Sequence, residues 1–209
     1  MRYSRVRRNR RRYLILFIGI FLFFFGIIFL IVKNYHLSKL QDLEDKSINN
    51  YFDKQDIEIK EEIQPSSDNN DEDELYDYES IIEIPKINLR KGIFKKTSIN
   101  NNVDRNIYVL AESTYPDDGE FSHILLASHS GNSYVSFFRD INNLIIGDHI
   151  YIYHNGIKYI YKVSNKYEIN KTGKASIGLY KKSMISLITC IDGTNKQLVI
   201  VGELIKEEQ

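Results

Sequence analysis

Residues 14–32 are nineteen consecutive residues without a charge or a strongly polar side chain, Leu14-Ile-Leu-Phe-Ile-Gly-Ile-Phe-Leu-Phe-Phe-Phe-Gly-Ile-Ile-Phe-Leu-Ile-Val32. A helix of about 20 such residues covers a bilayer core. The segment therefore reads as a membrane span. Lys33-Asn34-Tyr35-His36 follows it, with no small-residue cleavage site, so the expectation is an uncleaved anchor rather than a signal peptide. Seven arginines (Arg2, Arg5, Arg7, Arg8, Arg10, Arg11, Arg12) and no acid precede the span. By the positive-inside rule this holds the N-terminus in the cytoplasm and sends everything after residue 33 across the membrane. The chain divides into a cytoplasmic tail (1–13), an anchor (14–32), an extracytoplasmic stalk and acidic linker (33–80) and a folded domain (81–209).

The formal net charge of zero hides a polarity, because the arginines at one end balance Asp68, Asp71, Glu72, Asp73, Glu74, Asp77 and Glu79 in the middle. Set against the span, the arginine cluster reads as a topology signal in contact with anionic membrane lipids. Nothing else in the chain has the basic, aromatic-interleaved character of a nucleic-acid surface, so no nucleic-acid partner is expected. Leu37, Leu40 and Leu43 recur at helical spacing and prolong the membrane helix. Gln64-Pro65-Ser66-Ser67-Asp68-Asn69-Asn70-Asp71 has no apolar residue to bury and reads as spacer.

From Ile81 onward the apolar residues alternate. Ser80 to Leu89 is strand-like around Pro85, which must sit at an edge or bend because it lacks an amide hydrogen. His123-Ile-Leu-Leu-Ala127 and Leu198-Val-Ile-Val201 are further strands. Phe137, Ile141 and Leu144, at i, i+4 and i+7, predict one short helix, with Arg139 off its apolar stripe. In Ile150-Tyr-Ile-Tyr-His-Asn-Gly-Ile-Lys-Tyr-Ile-Tyr161, Asn155-Gly156 supports the positive φ angles of a type I′ turn. That predicts a hairpin with Ile152 opposite Tyr159 and His154 opposite Ile157. Many short strands without a βαβ rhythm argue a mainly all-β fold, an antiparallel barrel or sandwich.

Cys190 is the only cysteine, and it ends the strand-like run Ser186-Leu187-Ile188-Thr189-Cys190. A single thiol forms no internal disulfide, and structural zinc sites need several ligands, which leaves chemistry or packing. A catalytic thiol needs a partner that supports the thiolate or accepts its proton. Of five histidines, His36 lies by the membrane, His123 opens a strand, and His149 and His154 belong to the hairpin, as ordinary surface or half-buried residues. His129 follows the buried strand and opens the polar run Ser130-Gly131-Asn132-Ser133, so its ring should emerge at the rim of the sheet.

Ser186-Leu-Ile-Thr-Cys190 and Leu126-Ala-Ser-His129 resemble the paired signatures of the sortases, membrane-anchored cysteine transpeptidases. Ile82-Glu-Ile-Pro-Lys-Ile-Asn-Leu89 resembles that family's opening strand, and Gly147-Asp148 fits as well. The resemblance covers residues 81–204. It implies a closed eight-stranded β-barrel with one or two short helices, preceded by a single transmembrane helix. It also implies that the Cys190 thiolate attacks an LPXTG-like sorting signal to give a thioacyl enzyme, with His129 as general acid and base. An amine of a peptidoglycan precursor or a pilin lysine then resolves the thioester. No metal or nucleotide cofactor is implied, and calcium dependence stays open, because the acidic spacer residues cannot be assigned to a site.

The family's third residue is an arginine at the start of the strand after the cysteine loop, where this chain reads Thr194-Asn195-Lys196-Gln197-Leu198-Val199. Counting back from Gly202 selects Gln197 as the oxyanion or substrate donor, and counting from Glu203 selects Lys196. Successive strand positions face opposite ways, so only one can point at Cys190. Arg139 is a further candidate, reaching in from the predicted helix. Two other readings stay open: a peptidase that transfers its acyl group to water, and a non-catalytic or decayed surface β-domain that binds a partner. Walker A, G-x-G-x-x-G, G-x-S-x-G and H-E-x-x-H motifs are absent from the sequence.

Overall fold

The structure is a computed structural model that describes residues 3–58, 75–171 and 181–208. It falls into two compact units, Met1–Asp45 and Lys46–Gln209. The first is the leading part of helix α1 (Tyr3–Glu58). Its large apolar side chains stand exposed along the expected span, from Leu16 to Val32. A surface of that kind is stable in lipid rather than water. Among the described residues α1 is the one helix long and apolar enough to cross a membrane.

The second unit begins with the last turns of α1, which do not behave as a solvated stalk. Ile48 and Tyr51 are buried with Tyr78, Ile81 and Phe94, and Phe52 packs against the same cluster. The spacing i, i+3, i+4 puts these three on one helical face. Tyr51 Oη donates to the Tyr153 carbonyl at 3.0 Å, and the Tyr76 amide donates to Ser47 Oγ at 3.0 Å. The Pro-Ser-Asp-Asn tract expected as linker, residues 64–71, lies outside the described residues.

Eight strands follow: β1 (Ser80–Ile84), β2 (Leu89–Ile93), β3 (Tyr108–Val109), β4 (His123–Ala127), β5 (His149–His154), β6 (Ile157–Asn170), β7 (Met184–Cys190) and β8 (Lys196–Glu208). They form one sheet in the order β2-β1-β5-β6-β8-β7-β4-β3, curled into a nearly closed barrel. The sheet is antiparallel except at one seam, where β4 and β7 are parallel, with Leu125 level with Ser186 and Ala127 level with Ile188. Ile82, Ile84, Ile124, Leu126, Tyr161 and Ile185 are among the side chains that fill the interior, each 0% exposed. A second cluster of Met184, Ile188, Val199 and Val201 lies on the other face of β7 and β8, with Ala127, Tyr167 and Ile169 packed on it.

The Asn155-Gly156 turn has φ angles of 47° and 74°. Its register pairs Ile152 with Tyr159 and His154 with Ile157, as the dipeptide requires. Pro85 opens a 3₁₀ turn (Pro85–Ile87) that bends the chain between β1 and β2. The predicted short helix is reduced to turns and a 3₁₀ segment, Ile141–Asn143; Phe138 is buried with Ile141 and Leu144 in the core, and Phe137 packs partly buried against it. Two Asn residues in that segment favour side-chain and turn hydrogen bonding over helix propagation. His154 is buried rather than half-exposed. Its Nδ1 bonds the Glu79 carbonyl at 3.0 Å, its Nε2 lies 3.3 Å from Asp117, and its ring stacks on Tyr115.

Candidate active site

β7 runs between β4 and β8 at the centre of one wall of the barrel. Every residue from Met184 to Thr189 is buried, and Cys190 is the first to emerge partly into solvent. Alternation puts Ile185, Leu187 and Thr189 on the interior face, and Met184, Ile188 and Cys190 on the outer one. Thr189 Oγ1 donates to the Ser128 carbonyl at 2.7 Å, and the Ser128 amide donates to the Ile188 carbonyl at 3.2 Å. These two bonds carry the parallel register past the end of β4. His129 follows two residues after the end of β4, in the loop that the Ser128 bonds lead into.

From the other side, the β7–β8 ladder sets Gln197 directly opposite Cys190. Directly opposed residues of an antiparallel pair project from the same face. Lys196 has the opposite parity. Its ammonium is held at 2.8 Å by Glu168, which lies on β6 two positions before the ladder partner Asn170. Of the sequence-predicted residues, then, Gln197 is brought opposite Cys190 and Lys196 is not, while His129 stands just past the end of β4, the strand paired with β7 on its other side.

Arg139 is exposed but tethered, donating from Nε to the Gly131 carbonyl at 3.0 Å and from Nη2 to the Ser133 carbonyl at 3.1 Å. It still borders a cavity of about 490 Å³ that Cys190 and Thr189 share with Ser130, Tyr167 and Asp192. The turn after the thiol is fixed by the Ile191 amide on the Lys196 carbonyl at 3.0 Å, by Thr194 Oγ1 on the Ile191 carbonyl at 2.8 Å, and by Gly193 at φ 72°. Ser130 Oγ donates to Asp192 Oδ1 at 3.0 Å, joining the loop behind His129 to the loop behind Cys190.

Two residues at the site carry no sequence signal of their own. Asp104, twenty-five positions before His129, accepts from its ring at Nε2, 3.1 Å away. Asp192 is legible only as a polar residue in a turn. His123 and His154 are committed elsewhere: His123 Nε2 pairs with Ser186 Oγ at 2.8 Å, and burial pushes its pKa below the ordinary histidine value, which favours the neutral ring, while His154 is held by Glu79 and Asp117.

The strand order, the parallel β4–β7 seam and the thiol at the end of β7 define a β-barrel protein built around one partly buried cysteine. A family model described as the sortase domain matches residues 82–205, well over half of the chain, and the protein belongs to the sortase family, a family of cysteine transpeptidases. It is 29% identical over 126 residues to sortase A of Bacillus anthracis, a match that takes in 59% of this chain and 58% of that one. The chain thus spans under two thirds of that curated relative. Sortase C1 of Streptococcus agalactiae superposes with a TM-score of 0.55 at 25% identity, over 61% of this chain and 67% of that one. Sortase A of Listeria monocytogenes gives 0.53 at 27% identity, over 63% and 89%.

Proposed function

We propose that the protein is a membrane-anchored transpeptidase with Cys190 as nucleophile, His129 as general acid and base and Gln197 as the donor to the oxyanion. One observation supports this most directly: in a chain of the sortase family, Cys190 ends β7 with Gln197 opposite it on β8, and His129 follows β4, the strand paired with β7 on its other side. The thiolate adds to the carbonyl carbon of a Thr-Gly-like bond in an LPXTG-type sorting signal, and the Gln197 amide N–H donates to the oxygen as it gains charge. The C–N bond then breaks, and the imidazolium of His129 gives its proton to the departing amine. A primary amine from a peptidoglycan precursor or a pilin lysine attacks the thioester, the imidazole takes the excess proton, and a new amide forms as the thiol is released. The anchor confines enzyme, precursor protein and lipid-linked acceptor to one surface, which raises their effective concentration.

Mass spectrometry of the purified protein with a library of LPXTG-like peptides tests this reading. An acyl adduct on Cys190 is expected, consumed faster when an amine is added. No adduct from any peptide would remove the transpeptidase reading. An adduct that decays at the same rate with and without amine would make the protein a hydrolase.

The orientation follows from the arginines ahead of Leu14. Protease added to intact protoplasts is expected to remove the β-domain, and digestion that occurs only after lysis would reverse the topology.

A further inference from the structure

The carboxylate on the imidazole is a contact that neither the sequence motifs nor the expected triad accounts for. His129 Nε2 lies 3.1 Å from Asp104 Oδ1, and among the described residues no partner is recorded for Nδ1. The pair is open to water, with side-chain exposures of 43% for His129 and 79% for Asp104. Exposed ion pairs contribute little to stability, largely because two mobile side chains must be held in one geometry.

That cost is reduced here, because the loop between β2 and β3 that carries Asp104 is tied down by its own asparagines. Asn101 Nδ2 donates to the carbonyls of Lys96 at 3.2 Å and Val109 at 3.1 Å, and its Oδ1 accepts the Val109 amide at 2.7 Å. Asn106 is buried, donates to the Gly92 carbonyl at 2.9 Å and accepts the Ile107 amide at 2.8 Å. Between them the Asn102 carbonyl accepts the amides of Arg105 at 3.0 Å and Asn106 at 2.8 Å, and Asn102 Oδ1 accepts the Asp104 amide at 2.9 Å. Asp104 therefore stands on a turn closed at both ends.

We propose that Asp104 is a positioning residue for His129: its carboxylate accepts a hydrogen bond from Nε2–H, selects that tautomer and leaves Nδ1 as the ring nitrogen that faces the reaction. The inference rests on the transpeptidase reading for its functional meaning. Which imidazole nitrogen carries the proton is set by the hydrogen bonds that the ring makes. The other charged or titratable groups on the elements around the ring are Arg105, whose guanidinium is bound to Asn100 Oδ1, Arg139 on the Gly131 and Ser133 carbonyls, Asp192 on Ser130, and Cys190 itself. Asp104 alone bonds the imidazole among the described residues.

The test uses the full chain in detergent, labelled with ¹⁵N-histidine, with the His129 signals assigned by their loss in His129→Gln. The wild type is expected to give the Nε2–H tautomer when neutral. Asp104→Asn is expected to mix the tautomers, because a side-chain amide can donate as well as accept and no longer selects the Nε2–H form. Asp104→Glu should restore the Nε2–H tautomer. In turnover, Asp104→Asn should cost roughly three- to fivefold in kcat with KM unchanged. An unchanged tautomer in Asp104→Asn would overturn the proposal, even if activity fell. A mixed tautomer in a protein that forms no acyl adduct would uphold the Asp104–His129 coupling and remove the transpeptidase reading instead.

Discussion

Cys190→Ala is expected to abolish acyl-adduct formation and transfer altogether while leaving the fold intact. The reaction needs a sulfur that can leave again as a thiolate, and the chain has no second thiol to stand in. The fold does not need it. Cys190 is only partly buried at the last position of β7, and the bonds that close the strand's end are made by Thr189 and by the backbone of Ile191. The same uniqueness makes alkylation a clean readout, since any label on the wild type reports this one site. His129→Ala is expected to cut turnover by about 10²- to 10⁴-fold, the usual contribution of a positioned acid–base group, and to slow alkylation near neutral pH. Retained turnover in Cys190→Ala would remove the thiol mechanism. Full activity in His129→Ala would leave the ring as a solvated neighbour of Asp104.

The parts of the fold legible in the sequence are those whose physics is local. Asn155-Gly156 demanded two positive φ angles, and that was enough to set the register of β5 and β6 residue by residue. The parallel β4–β7 seam had no such signal. Its partners lie about sixty positions apart, and a short buried strand reads the same in either orientation. The predicted helix over residues 137–144 failed because three apolar residues at helical spacing are also compatible with consecutive turns that bury Phe138, Ile141 and Leu144. Conversely, Ile48, Tyr51 and Phe52 did carry a readable apolar stripe, hidden within a segment whose overall polarity suggested stalk.

The site divides in the same way. Cys190 and His129 stand out because a lone thiol at a strand end and a histidine opening a polar loop are unusual in themselves. Asp104 and the Ser130–Asp192 bridge belong to surface loops whose polar residues are indistinguishable in sequence from solvated ones, and only the fold brings them to the ring and the thiol. His154 shows the reverse error. Its alternation predicted nothing unusual, yet the hairpin tip packs it beneath Tyr115 against Asp117.

Gln197→Ala is expected to lower kcat/KM about 100-fold or more, the typical cost of removing one oxyanion donor, whereas Lys196→Ala should leave it nearly unchanged. The two residues are adjacent, so strand alternation makes them mutually exclusive neighbours of the thiol. Gln197 is the one opposed to Cys190 across the β7–β8 ladder, while the Lys196 ammonium is occupied by Glu168 on β6. Breaking that exposed pair should cost at most about 1 kcal/mol of stability. A neutral amide is a weaker donor to a developing oxyanion than a charged group, so Gln197→Arg should be tolerated or raise turnover, provided the longer side chain fits beside Cys190. Equal, small losses in both alanine variants would mean that neither residue is the donor. The amide of Ile191 would not be the obvious substitute, because it is already bonded to the Lys196 carbonyl. Attention would pass to Arg139, which borders the same cavity and whose Nη1 is recorded in no hydrogen bond among the described residues. In that case Arg139→Lys should lower kcat sharply, since a single ammonium cannot hold the Gly131 and Ser133 carbonyls and also reach the oxyanion.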